Sequence, residues 1–130
     1  MMQAKLVIDD NPDAAGCQPA SSPAKGTVLH CDLTVDPARE AELIQYFHEV
    51  FLPVAETFAG FRELKMLKLR TLIQGEAPTA PGAQYRFQLS YESEALRQVW
   101  SNSPEHAALW PTIENALMDK GYPVVLYDEV

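Results

Sequence analysis

Apolar and polar positions alternate without a break from Thr27 to Val35. Leu29, Cys31, Leu33 and Val35 fall on one side, and Val28, His30, Asp32 and Thr34 on the other. Period two predicts a strand with one apolar and one more polar face. The period then changes. Leu43, Phe47, Val50, Phe51, Val54 and Phe58 recur at three and four residues, the stripe of an amphipathic helix. Asp36 and Pro37 supply its cap and first position, and Gly60 its stop. Pro53 falls inside that stripe and removes a backbone donor, which predicts a local break near Glu49 to Leu52.

Phe61 to Ile73 reads as a second strand. Leu64 and Met66 share one phase while Leu67 and Leu69 share the other, a slip that predicts a β-bulge near Met66. Gly75 to Gln84, with Pro78, Pro81 and Gly82, reads as a loop longer than a tight hairpin turn. Tyr85, Phe87, Leu89 and Tyr91 alternate with Arg86, Gln88 and Ser90 in a third strand. Ser93 caps a helix carrying Leu96, Val99 and Trp100. Ser103-Pro104-Glu105 starts a second helical segment that runs to Lys120, bends at Trp110-Pro111 and stops at Gly121. Pro123 to Val130 is a final strand. The order strand, helix, strand, strand, helix, strand is the split βαβ arrangement, so the chain is predicted to be an α+β, ferredoxin-like βαββαβ sandwich with one four-stranded antiparallel sheet over residues 26–130.

Ahead of it, residues 1–25 form an N-terminal arm. Lys5 to Asp9 suits a short strand, and Asn11 to Lys25 is rich in Pro, Ala, Ser and Gly. A disordered tail and an arm that adds a strand to a sheet edge are both open readings.

Composition narrows the function. The chain has 130 residues with 47% hydrophobic content, enough for one domain with a core. A formal net charge of −8 repels phosphate backbones and anionic membranes, so neither nucleic acid nor membrane is an expected partner. The two cysteines, Cys17 and Cys31, make no CxxC pair and no metal-ligand spacing with His30, His48 and His106. No metal or cofactor is expected. A reduced, cytoplasmic setting is the expectation, since no apolar run approaches the ~20 residues of a membrane span and Asp9 and Asp10 cut short the run Leu6-Val7-Ile8.

Two helical segments cover one face of a four-stranded sheet, so the other face must meet water, a ligand or another protein. Its residues are mixed: His30, Asp32, Arg86, Gln88 and Ser90 among them. His30 and Asp32 project from one face about 7 Å apart along the backbone, a spacing at which a carboxylate can tune an imidazole as a general base. The same pair equally suits a polar lining without a reaction. Arg86 is placed either to hold an anionic ligand or to pair with Asp32 across the sheet. Tyr91 is a cavity hydroxyl or, by its phase with Phe87 and Leu89, a core residue. His106 in a first helical turn is a ligand contact or a packing residue where the helices join. Trp100 and Trp110 read as core or interface anchors, and His48 as solvated. No nucleotide-binding motif, metalloprotease motif or nucleophile elbow occurs.

Three stretches carry a family resemblance. They are Leu29-His30-Cys31-Asp32-Leu33-Thr34-Val35-Asp36-Pro37, then Phe58-Ala59-Gly60-Phe61-Arg62, and Tyr91-Glu92-Ser93-Glu94-Ala95-Leu96 leading to Ser103-Pro104-Glu105-His106. In these the chain resembles the dimeric α/β barrel superfamily, and within it the antibiotic-biosynthesis-monooxygenase-like domains. The resemblance implies a homodimer whose sheets stack into a barrel. It also implies a cofactor-independent oxidation of a phenolic or polyketide-like compound in the barrel cavity. His30 would then be the base, Asp32 its orienter, Arg86 the anion stabiliser, and Gln88, Ser90, Tyr91 and His106 the ligand contacts. A homodimeric binding module without catalysis is the alternative. The chain departs from the pattern in having Tyr91 where many relatives have tryptophan. Haem degradation is disfavoured, because Leu109 falls near the position of the required histidine and the first strand offers no asparagine.

Overall fold

The computed structural model describes residues 25–76, 78 and 81–130. The expected strand at Lys5 to Asp9, and both readings of the arm, lie outside them. Strand β1 spans Thr27–Val35, β2 Phe61–Lys68, β3 Ala83–Tyr91 and β4 Val124–Asp128. They form one antiparallel sheet in the order β2-β3-β1-β4. Helices α1 (Glu40–Tyr46) and α2 (Leu52–Ala55) connect β1 to β2, and α3 (Glu94–Ser101) and α4 (Pro104–Glu114) connect β3 to β4. This is the ferredoxin-like sandwich.

The caps sit where the sequence places them. Asp36 accepts from the Ala38 N–H, Ser93 from that of Leu96 and Ser103 from that of His106, each filling a donor that the first turn leaves unmet. The break before Pro53 takes the form of a π turn, Phe47–Phe51. Proline cannot donate to the carbonyl four residues back, and the Leu52 N–H reaches five residues back to Phe47 instead. Leu43, Phe47, Phe51 and Ala55 keep a buried stripe through this change, while Val50 turns outward. Gly60, at φ 84°, makes the turn into β2, and a β-carbon there would press on the Leu96 side chain.

Some details differ from expectation, among them the last strand, which is Val124–Asp128 rather than Pro123 to Val130, and the third, which starts at Ala83 rather than Tyr85. The bulge falls between Phe61 and Glu63, at Arg62, and from Glu63 to Lys68 the register is regular. The apparent slip has another cause: Leu67 and Leu69 are apolar residues left exposed. β2 ends at Lys68 rather than Ile73, because pairing with β3 runs out once Leu69 has bonded to Gln84. α4 ends at Glu114 rather than Lys120, because the chain turns back to the start of the first connection. Asp36 donates to Ala116, Met118 donates to Thr34, and Leu117 bridges to Val35.

The core lies between the helices and one face of the sheet. Cys31, Leu33, Val35, Leu64, Phe87, Leu89 and Tyr91 meet Phe47, Phe51, Trp100 and Ile113. Phe51 and Phe87 each stand edge-on to a tryptophan, with ring centroids 5.6 Å apart for Phe51–Trp100 and 5.1 Å for Phe87–Trp110. No described helix is long and apolar enough to cross a membrane.

Candidate functional site

The sheet's two faces divide the predicted site residues. On the face away from the helices, β1 presents His30 and Asp32, and β3 presents Arg86, Gln88 and Ser90, with His30 opposite Gln88 and Asp32 opposite Arg86. The guanidinium grips the carboxylate with two bonds, Nε to Oδ1 at 2.7 Å and Nη2 to Oδ2 at 3.2 Å. That bond raises the Arg86 pKa further. The dyad expected between His30 and Asp32 does not form. Directly opposed side chains across a strand pair are closer than i, i+2 neighbours along one strand, and the carboxylate takes the nearer partner. The His30 ring instead meets Tyr127 of β4 edge-on, centroids 5.1 Å apart, and its Nδ1 is enclosed without a hydrogen-bond partner among the described residues. Beside the ion pair lies an open depression of about 460 Å³ walled by Leu67, Leu69, Leu72 and Gln84, which His30 does not reach.

Tyr91 and His106 are on the other face. Tyr91 is fully buried in the core, its ring edge-on to Phe61 and its hydroxyl without a partner. Burial pushes that phenol up to about 12, with Arg97 opposing. His106 lies half-buried on α4, stacked on Trp110 at 5.8 Å and edge-on to Trp100 at 5.1 Å.

His106 borders a cavity of about 200 Å³ between α3, α4 and the sheet. Phe87, Trp100 and Trp110 make its aromatic walls, and Arg97, His106, Tyr122 and Cys31 bring polar atoms to it. Burial, and then the Arg97 charge, lower the His106 pKa against a smaller opposing pull from Glu114. The imidazole is therefore neutral at pH 7 and able to accept a proton. Arg97 is held by Glu94 through Nε at 2.6 Å and Nη2 at 2.7 Å, which pulls the Glu94 carboxyl down to about 2. The Tyr122 hydroxyl accepts from Trp110 Nε1 and donates to Glu114, both at 2.9 Å, bracing the ring that walls the cavity. Burial drives the Cys31 thiol up to about 12, so it stays protonated and is no nucleophile. Among the described residues no cluster of His, Cys, Asp and Glu is disposed to hold a metal.

Arg97 and Tyr122 were not among the sequence candidates. Arg97 did leave a signal: with Leu96 and Trp100 it falls on the inward side of α3, a charge where the period calls for an apolar residue. Tyr122 left none.

No family model and no curated protein matches the chain. Solved structures do. One is a monooxygenase from the ActVA-Orf6 gene of Streptomyces coelicolor, in complex with nanaomycin D. It is 18% identical over 84% of this chain and 91% of that one, with a TM-score of 0.63. The chain has the ferredoxin-like fold of the antibiotic biosynthesis monooxygenases. A Caulobacter crescentus protein provisionally described as such a monooxygenase matches at 14% identity and TM-score 0.63, covering 83% and 92%. A Nitrosomonas europaea protein of unknown function matches at 19% and 0.62, covering 84% and 93%.

Proposed function

We propose that this protein is a small-molecule enzyme of the monooxygenase-like type. In this reading it oxidises a phenolic or polyketide-like compound in the cavity between helices and sheet, and it works as a homodimer paired through the bare sheet face. The observation that supports it is the aromatic cavity of about 200 Å³ into which a neutral imidazole and a guanidinium are brought together. Pockets of drug-sized ligands span roughly 300–1,000 Å³, so the space suits one or two fused rings.

The chemistry closes with dioxygen as the oxidant. His106 takes the phenol proton, leaving an electron-rich ring. A ring carbon gives an electron pair to dioxygen, forming a C–O bond, and the peroxide takes up a proton. Cleavage of the O–O bond with loss of the ring C–H proton gives a quinone and one water. The Arg97 charge favours the anion on which this sequence depends. Proton transfer is assigned here to His106 rather than His30, since Arg86 occupies the carboxylate that was to orient His30. His30, Gln88 and Ser90 go to the dimer seam. Leu67, Val125 and Tyr127, each at least 41% exposed, give that face its apolar contribution.

Oxygen uptake with 1-naphthol-type phenols tests the assignment. His106→Gln should slow it by roughly 100-fold or more, the usual worth of a positioned base, while His30→Ala stays within a few-fold of the parent. The reverse ranking would return the chemistry to the bare face. Saturable binding with no oxygen uptake would leave a binding module and no enzyme. Sedimentation of Tyr127→Asp as a monomer, against a dimeric parent, tests the pairing.

A further inference from the structure

Arg97 is a cation with three of its five N–H donors unspent among the described residues. Its side chain is 16% exposed, so part of its hydration is gone and other partners must replace it. Glu94 satisfies one side of the guanidinium, the edge made by Nε and Nη2. A guanidinium has five N–H donors, and the second edge, made by Nη1 and the other Nη2 proton, has no hydrogen-bond partner among the described residues. Arg97 borders the cavity and Glu94 does not.

The rest of the lining agrees. No carboxylate borders this cavity among the described residues, in a chain of net charge −8. The other basic group there, His106, is held neutral. The cavity therefore contains one fixed positive charge, unopposed from inside and set among flat aromatic walls. An end-on guanidinium edge offers two parallel N–H groups, which match the paired oxygens of a carboxylate better than the single oxygen of a phenolate.

We propose that the cavity selects a planar aromatic ligand that carries a carboxylate, with Arg97 as the residue that receives it. This rests on reading the cavity as the substrate site and narrows the substrate from a phenol to a hydroxy-aromatic acid.

The test compares 2-naphthoate with its neutral isostere 2-naphthamide at pH 7.5, by calorimetry and by quenching of tryptophan fluorescence. Naphthoate should bind at least about tenfold tighter, the worth of a charge-assisted bidentate contact. Arg97→Gln should abolish that preference, and Arg97→Lys should restore it in part. Equal affinity for the two probes on the parent protein overturns the role of Arg97 and leaves the cavity reading standing. A naphthoate preference that survives in folded Arg97→Gln places the carboxylate elsewhere and also overturns it. Failure of both probes to bind overturns the cavity reading with it. The comparison on the parent protein needs no variant, so it decides the matter even if Arg97→Gln does not fold.

Discussion

The two faces of the sheet carry similar kinds of polar group and put them to different uses. On the bare face Asp32 and Arg86 neutralise each other in the open, with side chains 45% and 47% exposed. Beneath the helices Glu94 and Arg97 form an equally short pair, but Arg97 is 16% exposed and borders an aromatic cavity. Water screens the first pair, so it contributes little energy, although Asp32 still raises the Cys31 thiol across the sheet. The second acts at lower dielectric, and Arg97 influences His106, Cys31 and Tyr91 around it. Of the two guanidinium groups, the partly covered one acts on more of its neighbours, and the bare face is better suited to docking than to chemistry.

The largest expected effect tests where stability resides. Trp100 is 1% exposed and meets Phe51, Phe58 and His106 edge-on. Trp100→Ala should cost about 3–5 kcal/mol in a denaturant melt, the range for emptying a buried aromatic site. Asp32→Asn on the other face should cost no more than about 1 kcal/mol. Comparable losses from the two would mean that the bare face is covered in solution and that the ion pair lies in a dry seam.

Acid separates the faces next. The Glu94 carboxyl sits at about 2 against an ordinary 4.5, because folding favours its charged form. Its contribution is complete above 4.5 and is lost as pH falls toward 2. His106 is lowered from 6.5, so folding favours its neutral form, and its contribution is lost as pH falls below 6.5. His106→Gln should therefore flatten the decline of stability that begins just below 6.5, and Glu94→Gln the one below 4.5. Thermal melts across pH 2–8 would show both. An unchanged curve in each variant would mean that neither group feels the field ascribed to Arg97.

How much of this was legible follows from which interactions are local. Asp36, Ser93 and Ser103 cap helices through bonds to residues two or three along the chain, so their roles can be read from the sequence. The alternation in β1 and β3 marked the core face for the same reason. The partner of Asp32 was not legible. His30 and Arg86 were both open to it, and the choice depends on the register that sets Asp32 opposite Arg86, a relation between residues 54 positions apart. The cavity was hidden for a similar cause. It joins Cys31 on β1, Arg97 on α3, Trp110 on α4 and Tyr122 before β4, which share no short-range pattern. His106 was named as a ligand contact, and Arg97 could have been noticed as a charge on the inward side of α3.

The smallest effect concerns two tyrosines of β3 that point to the same face. Tyr85 donates its hydroxyl to Glu40, which also takes Lys68. Tyr91 is buried with its hydroxyl unpartnered. Removing a buried polar group that lacks a partner removes a desolvation cost, whereas removing a partnered one loses its bond. Tyr91→Phe should thus be neutral or stabilising by up to about 1 kcal/mol, while Tyr85→Phe should destabilise by about 1 kcal/mol. The sign at position 91 carries the information. If Tyr91→Phe destabilises as Tyr85→Phe does, the Tyr91 hydroxyl has an acceptor in solution.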